Sequence, residues 1–179
     1  MTLSMYQASV PVFLRGLKNL SGILDKAAAD AAKRKIDPTV FLTARLAPDM
    51  YTLTRQVQIA SDHAKGATAR LAGVEVPKFE DVEKSFEELQ QRLTRVTEFI
   101  QTFDAAKFDG SEEREISLPV GARTLTFRGQ TYLLNFALPN FYFHATTAYA
   151  ILRHSGVGIG KRDFIGPVER GSRTRPFAV

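Results

Sequence analysis

The feature that most constrains this chain is the helical spacing of its apolar residues, which recur every three or four positions over most of its 179 residues. This spacing places them on one face of a helix, and that face must be buried against another element. The first stripe predicts a long helix ending near residues 33–36. Further stripes predict helices over residues 50–73, 79–103 and 131–153, and the charged face of the third is expected to be solvated. The members of the first stripe are Tyr6, Val10, Phe13, Leu14, Leu17, Leu20 and Leu24.

Prolines and one change of period mark the remaining elements. Asp37 followed by Pro38 predicts an N-cap and the start of another helical segment, which Pro48 interrupts. Between residues 114 and 127 the apolar period becomes two, which predicts a small β-hairpin inserted before the last helix. Pro139 predicts a kink in that helix, because proline cannot donate to the carbonyl four positions back. Four long helices with short links predict an all-α, antiparallel four-helix bundle.

Size and composition fit a single globular domain over residues 1–179, since 44% of the residues are hydrophobic and 24% are charged. The chain has no cysteine, which excludes disulfides and thiolate chemistry on its own side chains. Its first ten residues do not resemble a signal peptide, and no apolar run reaches the ~18 residues that a membrane span requires. We therefore expect a soluble, cytoplasmic protein without a membrane partner.

The net charge of +5 is concentrated near the end of the chain. Residues 160–179 hold five basic and two acidic residues, a net charge of +3. We expect residues 167–179 to form an extended basic tail. Binding of a polyanion through this tail is one alternative function. Nucleic acid is not the favoured partner, because such tails are more often solvated or used in self-association.

The last helix and the segment after it resemble a known family. His144 is followed on the same helix by Leu152-Arg153 and then by Gly156, and residues 158–166 have the sequence GIGKRDFIG. In these motifs the chain resembles the DinB/YfiT-like metalloenzyme superfamily, and in particular an uncharacterised bacterial branch of it. The resemblance implies a DinB/YfiT-like antiparallel four-helix bundle with a small β-hairpin inserted before the last helix.

The resemblance also implies a divalent metal held by one histidine on the second helix and two on the fourth. His144 matches the second histidine of the fourth-helix pair, but Asn140 stands at the position of the first. The matching region of the second helix holds Gln56 and Gln58. Neutral amides are weak ligands for zinc or nickel, so no cofactor is firmly expected. His63 on the second helix is the other candidate metal ligand.

Several polar residues are expected to converge on a small-molecule pocket. Asn140, His144 and Thr147 share one helical face, and Gln56 meets them if the family's arrangement holds. The tyrosines expected to line the pocket are Tyr51, Tyr142 and Tyr149. A buried polar network that fixes the register of the helices explains the same residues equally well.

The three histidines and the glycine-rich segment also have purely structural explanations. A histidine among aromatic residues, such as His144, is typical of a core residue bonded to a tyrosine or an amide. His154 lies where an imidazolium stabilises a helix C-terminus, and His63 lies beside a seam of small residues. The glycines from Gly156 to Gly160 predict a helix C-cap and a chain reversal anchored by Phe164 and Ile165, and their order does not fit a Walker loop.

The leading functional hypothesis is a DinB-like protein that lacks the full metal triad and either binds a small molecule or acts as a structural homodimer. The homodimer follows from the resemblance and from the many aromatic residues of the last helix, which exceed what one core is expected to bury. The enzyme alternative is a metal-dependent hydrolase or thiol transferase, the activity that the resemblance implies, with His144 as a metal ligand.

Overall fold

The structure, a computed structural model, describes residues 3–121 and 123–167. The predicted basic tail lies almost wholly outside the described residues, so it stays a prediction. The described part of the chain is mostly helical and carries a two-stranded hairpin, as expected. Among the described residues, no helix combines the length and the apolar content needed to cross a bilayer. The helices that precede the hairpin are α1 (Met5–Arg34), α2 (Pro38–Leu42), α3 (Leu53–Ala72) and α4 (Phe86–Gln101).

The second half of the chain contains the hairpin and the last helices. A 3₁₀ turn at Ala105–Phe108 leads to strands β1 (Glu115–Val120) and β2 (Arg123–Arg128), which pair antiparallel. Helix α5, a π-helical turn and helix α6 then follow one another without a break, and α7 comes after a chain reversal. Their bounds are Gly129–Tyr132 for α5, Leu133–Ala137 for the π-helical turn, Leu138–His154 for α6 and Lys161–Ile165 for α7.

The core lies between the longer helices. α3 packs along α6 on one side and α4 on the other, whereas α1 packs against α4 and α7. Ala60, Ala64 and Ala67 of α3 are fully buried, and side chains of this size allow the neighbouring helices to approach closely. The seam between α3 and α6 is therefore the place where the polar residues expected to form a site can meet.

Local sequence signals set the helix ends. Asp37 caps α2, because its side chain accepts the Thr39 N–H at 2.9 Å. Gly73 ends α3 in the left-handed region at φ 73°, where a residue without a Cβ is favoured. Ser85 caps α4 by accepting the Glu88 N–H at 3.1 Å. These signals act over three or four residues, which is why they can be recognised without the tertiary structure.

The prediction that the third long helix begins near Phe79 is wrong, because α4 begins at Phe86. Val82, which lies near the start of the predicted helix and was expected on its apolar face, is 63% exposed. The segment before α4 is instead held as a loop by buried charge. Glu83 and Asp81 bind the guanidinium of Arg92 at 3.0 Å each, and a helix over these residues would point their carboxylates elsewhere.

Arg92 is the centre of a buried charge network, although its helix was expected to present its charges to solvent. Its side chain is 1% exposed and binds three carboxylates, the third being Asp62 of α3 at 2.9 Å. Its Nε also donates to Ser61 Oγ at 2.8 Å. Burial opposes the charge of Arg92, but the three carboxylates outweigh it and raise the pKa of the guanidinium. This network fastens the loop before α4 to α3.

A π-helical turn precedes Pro139, the residue at which a kink was predicted. The turn at Leu133–Ala137 ends two residues before this proline. Because Pro139 has no N–H, a regular α-helix would leave the carbonyl of Asn135 without a donor. Asn140 supplies a side-chain donor one residue further on, since its Nδ2 donates to the Phe136 carbonyl at 2.7 Å.

Replacing Gly129 with alanine is expected to lower the free energy of unfolding by about 1–3 kcal/mol. A Cβ at this buried position would overlap the Ser111 carbonyl oxygen and press on Leu71 at 3.3 Å, so the start of α5 would have to move. Urea denaturation measures the effect. Gly22→Ala is the control, because a Cβ there meets nothing within 4 Å and alanine favours a helix interior. A loss of equal size in both variants would contradict the explanation.

Candidate functional site

His144 and Gln56 form a direct hydrogen bond across the seam between α3 and α6. The distance from His144 Nδ1 to Gln56 Oε1 is 2.7 Å, and both side chains are buried. The amide of Gln56 is oriented by a second bond, because its Nε2 donates to the Tyr51 carbonyl at 3.3 Å. The two residues that the sequence analysis placed on facing helices therefore touch.

This bond sets the tautomer of His144. An amide oxygen can only accept, so His144 must donate from Nδ1. Burial, helped by the nearby charge of Arg55, lowers the pKa of His144 and favours the neutral ring. In a neutral ring protonated on Nδ1, the Nε2 atom keeps its lone pair. His144 therefore offers one hydrogen-bond acceptor or one metal-binding nitrogen.

His63 lies beside His144 in this seam. The two rings stack with centroids 5.9 Å apart and planes 13° apart, and Phe136 packs edge-on against His63 at 5.8 Å. Burial is the main cause that lowers the pKa of His63 to about 4, and His144 adds to the effect. Asp62 acts in the opposite direction, but less strongly. Both rings are thus neutral at physiological pH.

These residues do not fit the three-histidine metal site that the family resemblance implies. Gln56 uses its oxygen to hold His144, and the Asn140 amide group donates to its own helix. Among the described residues, no group of three or more His, Cys, Asp or Glu is placed to hold a metal ion. Two neighbouring imidazoles fall short of the three or four protein ligands that a zinc site requires.

The other predicted site residues have separate environments. Thr147 Oγ1 donates to the carbonyl of its own helix four residues back, at 2.7 Å. Tyr51 is exposed, and its ring lies under the guanidinium of Arg55 at 6.0 Å. Tyr149 packs edge-on against Phe164 with centroids 5.7 Å apart. The expected convergence of the tyrosines on one pocket with His144 is therefore not observed.

Tyr142 lines a separate cavity, and His144 is not among the described residues around it. This space, which we call the α1–α6–α7 cavity, has a volume of about 440 Å³. Most of its lining is apolar, and the polar side chains around it are those of Arg15, Asn19 and Tyr142. The apolar lining residues are Val12, Leu20, Ile23, Phe141, Ala145, Phe164 and Ile165, and Gly16 completes the wall.

Helix α7 forms one wall of the cavity and is tied to α1 by polar contacts. Lys26 and Asp163 form a salt bridge at 2.5 Å, and Asn19 Nδ2 donates to the Phe164 carbonyl at 3.0 Å. Gly156 makes the chain reversal at φ 88°, where glycine is favoured. Phe164 packs inward as expected, whereas Ile165 is partly exposed at the cavity wall.

The residues that α1 contributes to this cavity were not predicted as site residues from the sequence. Arg15 lies on the exposed side of the apolar stripe, and only the return of α7 gives it a role. Gly16 carries a signal that can be recognised in the sequence, because it is a glycine inside a long helix. In the structure a Cβ at this position would collide with the Phe141 ring. A glycine at a close helix approach can be suspected from sequence, but its partner cannot.

Comparison with known proteins reveals similarity to a protein family and to a solved structure. A family model described as "Domain of unknown function (DUF1993)" matches residues 5–165. The chain is also similar to the crystal structure, at 1.83 Å resolution, of a DinB family member protein from Shewanella denitrificans. The two sequences are 42% identical, with a TM-score of 0.88 over 94% of this chain and 96% of the other. No curated protein matches the chain.

Proposed function

This chain belongs to a DinB-like family, the one described as domain of unknown function DUF1993, and from that premise we propose that it binds a small molecule in the α1–α6–α7 cavity. In this proposal the chain is an antiparallel four-helix bundle that lacks the superfamily's full metal triad. The cavity itself is the observation that carries the proposal.

The dimensions and lining of the cavity support this function. Ligand sites in proteins are mostly apolar clefts of about 300–1,000 Å³ with a few polar groups that fix orientation, and a volume of about 440 Å³ lies within that range. The polar groups are few and differ in kind: a guanidinium from Arg15, an amide from Asn19 and a phenol from Tyr142. Such a lining favours binding over catalysis, because it contains no nucleophile paired with a base.

In this proposal the stacked histidines have a structural role and do not bind the ligand. His144 and Gln56 join α3 to α6 through a buried hydrogen bond, which fixes the register of the helix that carries Phe141 and Ala145. The hydrolase or thiol-transferase alternative stays a prediction, and we do not favour it, because the amides at the expected ligand positions are already engaged.

Self-association also stays a prediction. Phe143 of α6 is 58% exposed and lies edge-on to His144, with centroids 5.2 Å apart. Tyr51 and Leu134 are large exposed residues as well. Exposed aromatic side chains are enriched in protein interfaces, so a homodimer is compatible with small-molecule binding in the α1–α6–α7 cavity.

The test of the proposed function is a titration with 1-octanol, a neutral apolar probe, followed by NMR. Saturable chemical-shift changes are expected at Ala145, Tyr142 and Phe164. Filling the cavity with Ala145→Leu should remove them, while the dispersed spectrum reports that the variant is folded. The control is Thr146→Leu, which adds similar bulk at the exposed neighbouring position and should leave binding intact. Wild-type protein that shows no saturable change would count against the proposal.

A further inference from the structure

We propose that the molecule bound in the α1–α6–α7 cavity is a small amphipathic carboxylate, with its apolar body inside and its carboxylate against Arg15 and Tyr142. This inference rests on the proposed function, because it names the chemical class of ligand for the same cavity. It follows from the charge of the lining, the fixed position of the guanidinium and the apolar depth behind it.

The charge of the lining has one sign. Arg15 is positively charged, and the described residues that line the cavity include no Asp or Glu. Arg15 forms none of the salt bridges found within the described part of the chain. A cation beside an apolar space is complementary to an anionic head group on an apolar body.

The guanidinium is held in position before any ligand arrives. Arg15 Nε donates to the Ile165 carbonyl at 3.2 Å, and its Nη2 donates to the Pro167 carbonyl at 2.9 Å. These bonds hold the guanidinium plane against the end of α7. Its Nη1 has no hydrogen-bond partner among residues 3–121 and 123–167. A pre-oriented guanidinium binds a carboxylate with a smaller loss of side-chain entropy than a free one.

Tyr142 supplies a second donor to the same cavity, which Arg15 and Tyr142 both line. Burial raises the pKa of Tyr142, although the charge of Arg15 acts in the opposite direction. The phenol therefore stays protonated at neutral pH and can donate to a carboxylate oxygen. Behind this polar pair the wall is made of Leu20, Ile23 and Phe141, whose side chains suit an alkyl or aryl body.

The test compares octanoate with 1-octanol, which have the same chain length and differ in the head group, by isothermal titration calorimetry. Wild-type protein is expected to bind octanoate about tenfold more tightly, the effect of one charge-assisted hydrogen-bond set. Arg15→Gln should reduce octanoate affinity to that of octanol. Octanol affinity should stay unchanged in this variant. That result would show that the cavity remains intact without the contacts of Arg15 to α7.

Lys18→Gln is the matched control for charge. Lys18 lies one turn after Arg15 on α1. It lines the neighbouring groove between α1 and α4, not this cavity. It should leave octanoate affinity unchanged. Equal affinity of wild-type protein for the two probes, or an equal loss in Lys18→Gln and Arg15→Gln, would overturn the carboxylate assignment and leave the proposed function standing. Binding of neither probe would overturn the proposed function as well.

Discussion

Replacing Arg92 with methionine is expected to lower the free energy of unfolding by about 3–5 kcal/mol, because it removes the buried cation that joins three carboxylates. Asp62 and Asp81 keep a second basic partner, Lys65 and Arg55 respectively, but the nearly buried Glu83 loses its salt bridge. Methionine fills much of the same volume, so the loss reports charge and hydrogen bonding more than a cavity. In a chain of this size such a loss lowers the melting temperature by roughly 6–20 °C. Urea denaturation and calorimetry both measure the change.

Arg95→Met is the control for this substitution. Arg95 lies on the same helix but is exposed, and its guanidinium lies 4.2 Å from the centroid of the Phe79 ring. An exposed cation–π contact contributes about 0.5–1 kcal/mol. If Arg92→Met were no more destabilising than Arg95→Met, the buried network would not be what holds the loop before α4.

The stability of the protein is expected to fall as the pH drops from about 6.5 to about 4, with His63 as a main cause. In the unfolded chain His63 binds its proton near pH 6.5, whereas in the folded protein its pKa is lowered to about 4. Between these values the unfolded state binds more protons, so stability rises with pH and levels off above about 6.5. The full difference corresponds to roughly 3 kcal/mol. His144 acts in the same direction.

His63→Gln separates this effect from the titration of carboxylates. The difference in unfolding free energy between wild-type protein and His63→Gln, measured at several pH values, should change over this window and stay constant above it. His154→Gln is the control, because that histidine is exposed at the end of α6 and its loss should leave the profile unchanged. A parallel profile for His63→Gln and wild-type protein would show that the stacked pair is not desolvated.

The predictable part of the fold was encoded locally. The apolar stripe of α1, the Asp37-Pro38 start of α2 and the Gly73 end of α3 each depend on neighbours a few residues away. The hairpin was predictable for the same reason, since its change of period is visible within one strand length. The start of α4 was the exception. It lies after the start of the apolar stripe, because the preceding carboxylates bind Arg92.

The candidate site depended on information that a single sequence does not hold. The hydrogen bond between His144 and Gln56 joins positions 88 residues apart, and the expectation that they meet came from the family resemblance, not from the periodicity. The rotation of α3 that brings His63 onto His144 has no local signal. The α1–α6–α7 cavity is even harder to predict from the sequence, because Arg15 and Ile165 are separated by 150 positions.

The π-helical turn before Pro139 acts as a one-residue insertion that sets the direction of everything preceding it. A π turn holds one residue more than an α turn, so deleting one residue there would replace it with an α turn and rotate the upstream chain by about 100° relative to α6. The carbonyl four positions before the proline would then lack a donor. Tyr132, which is buried and accepts a hydrogen bond from Arg70 at 3.2 Å, would leave its place. The docking of the hairpin thus depends on residue count as well as on residue type, and a length change there would be tolerated less than most substitutions.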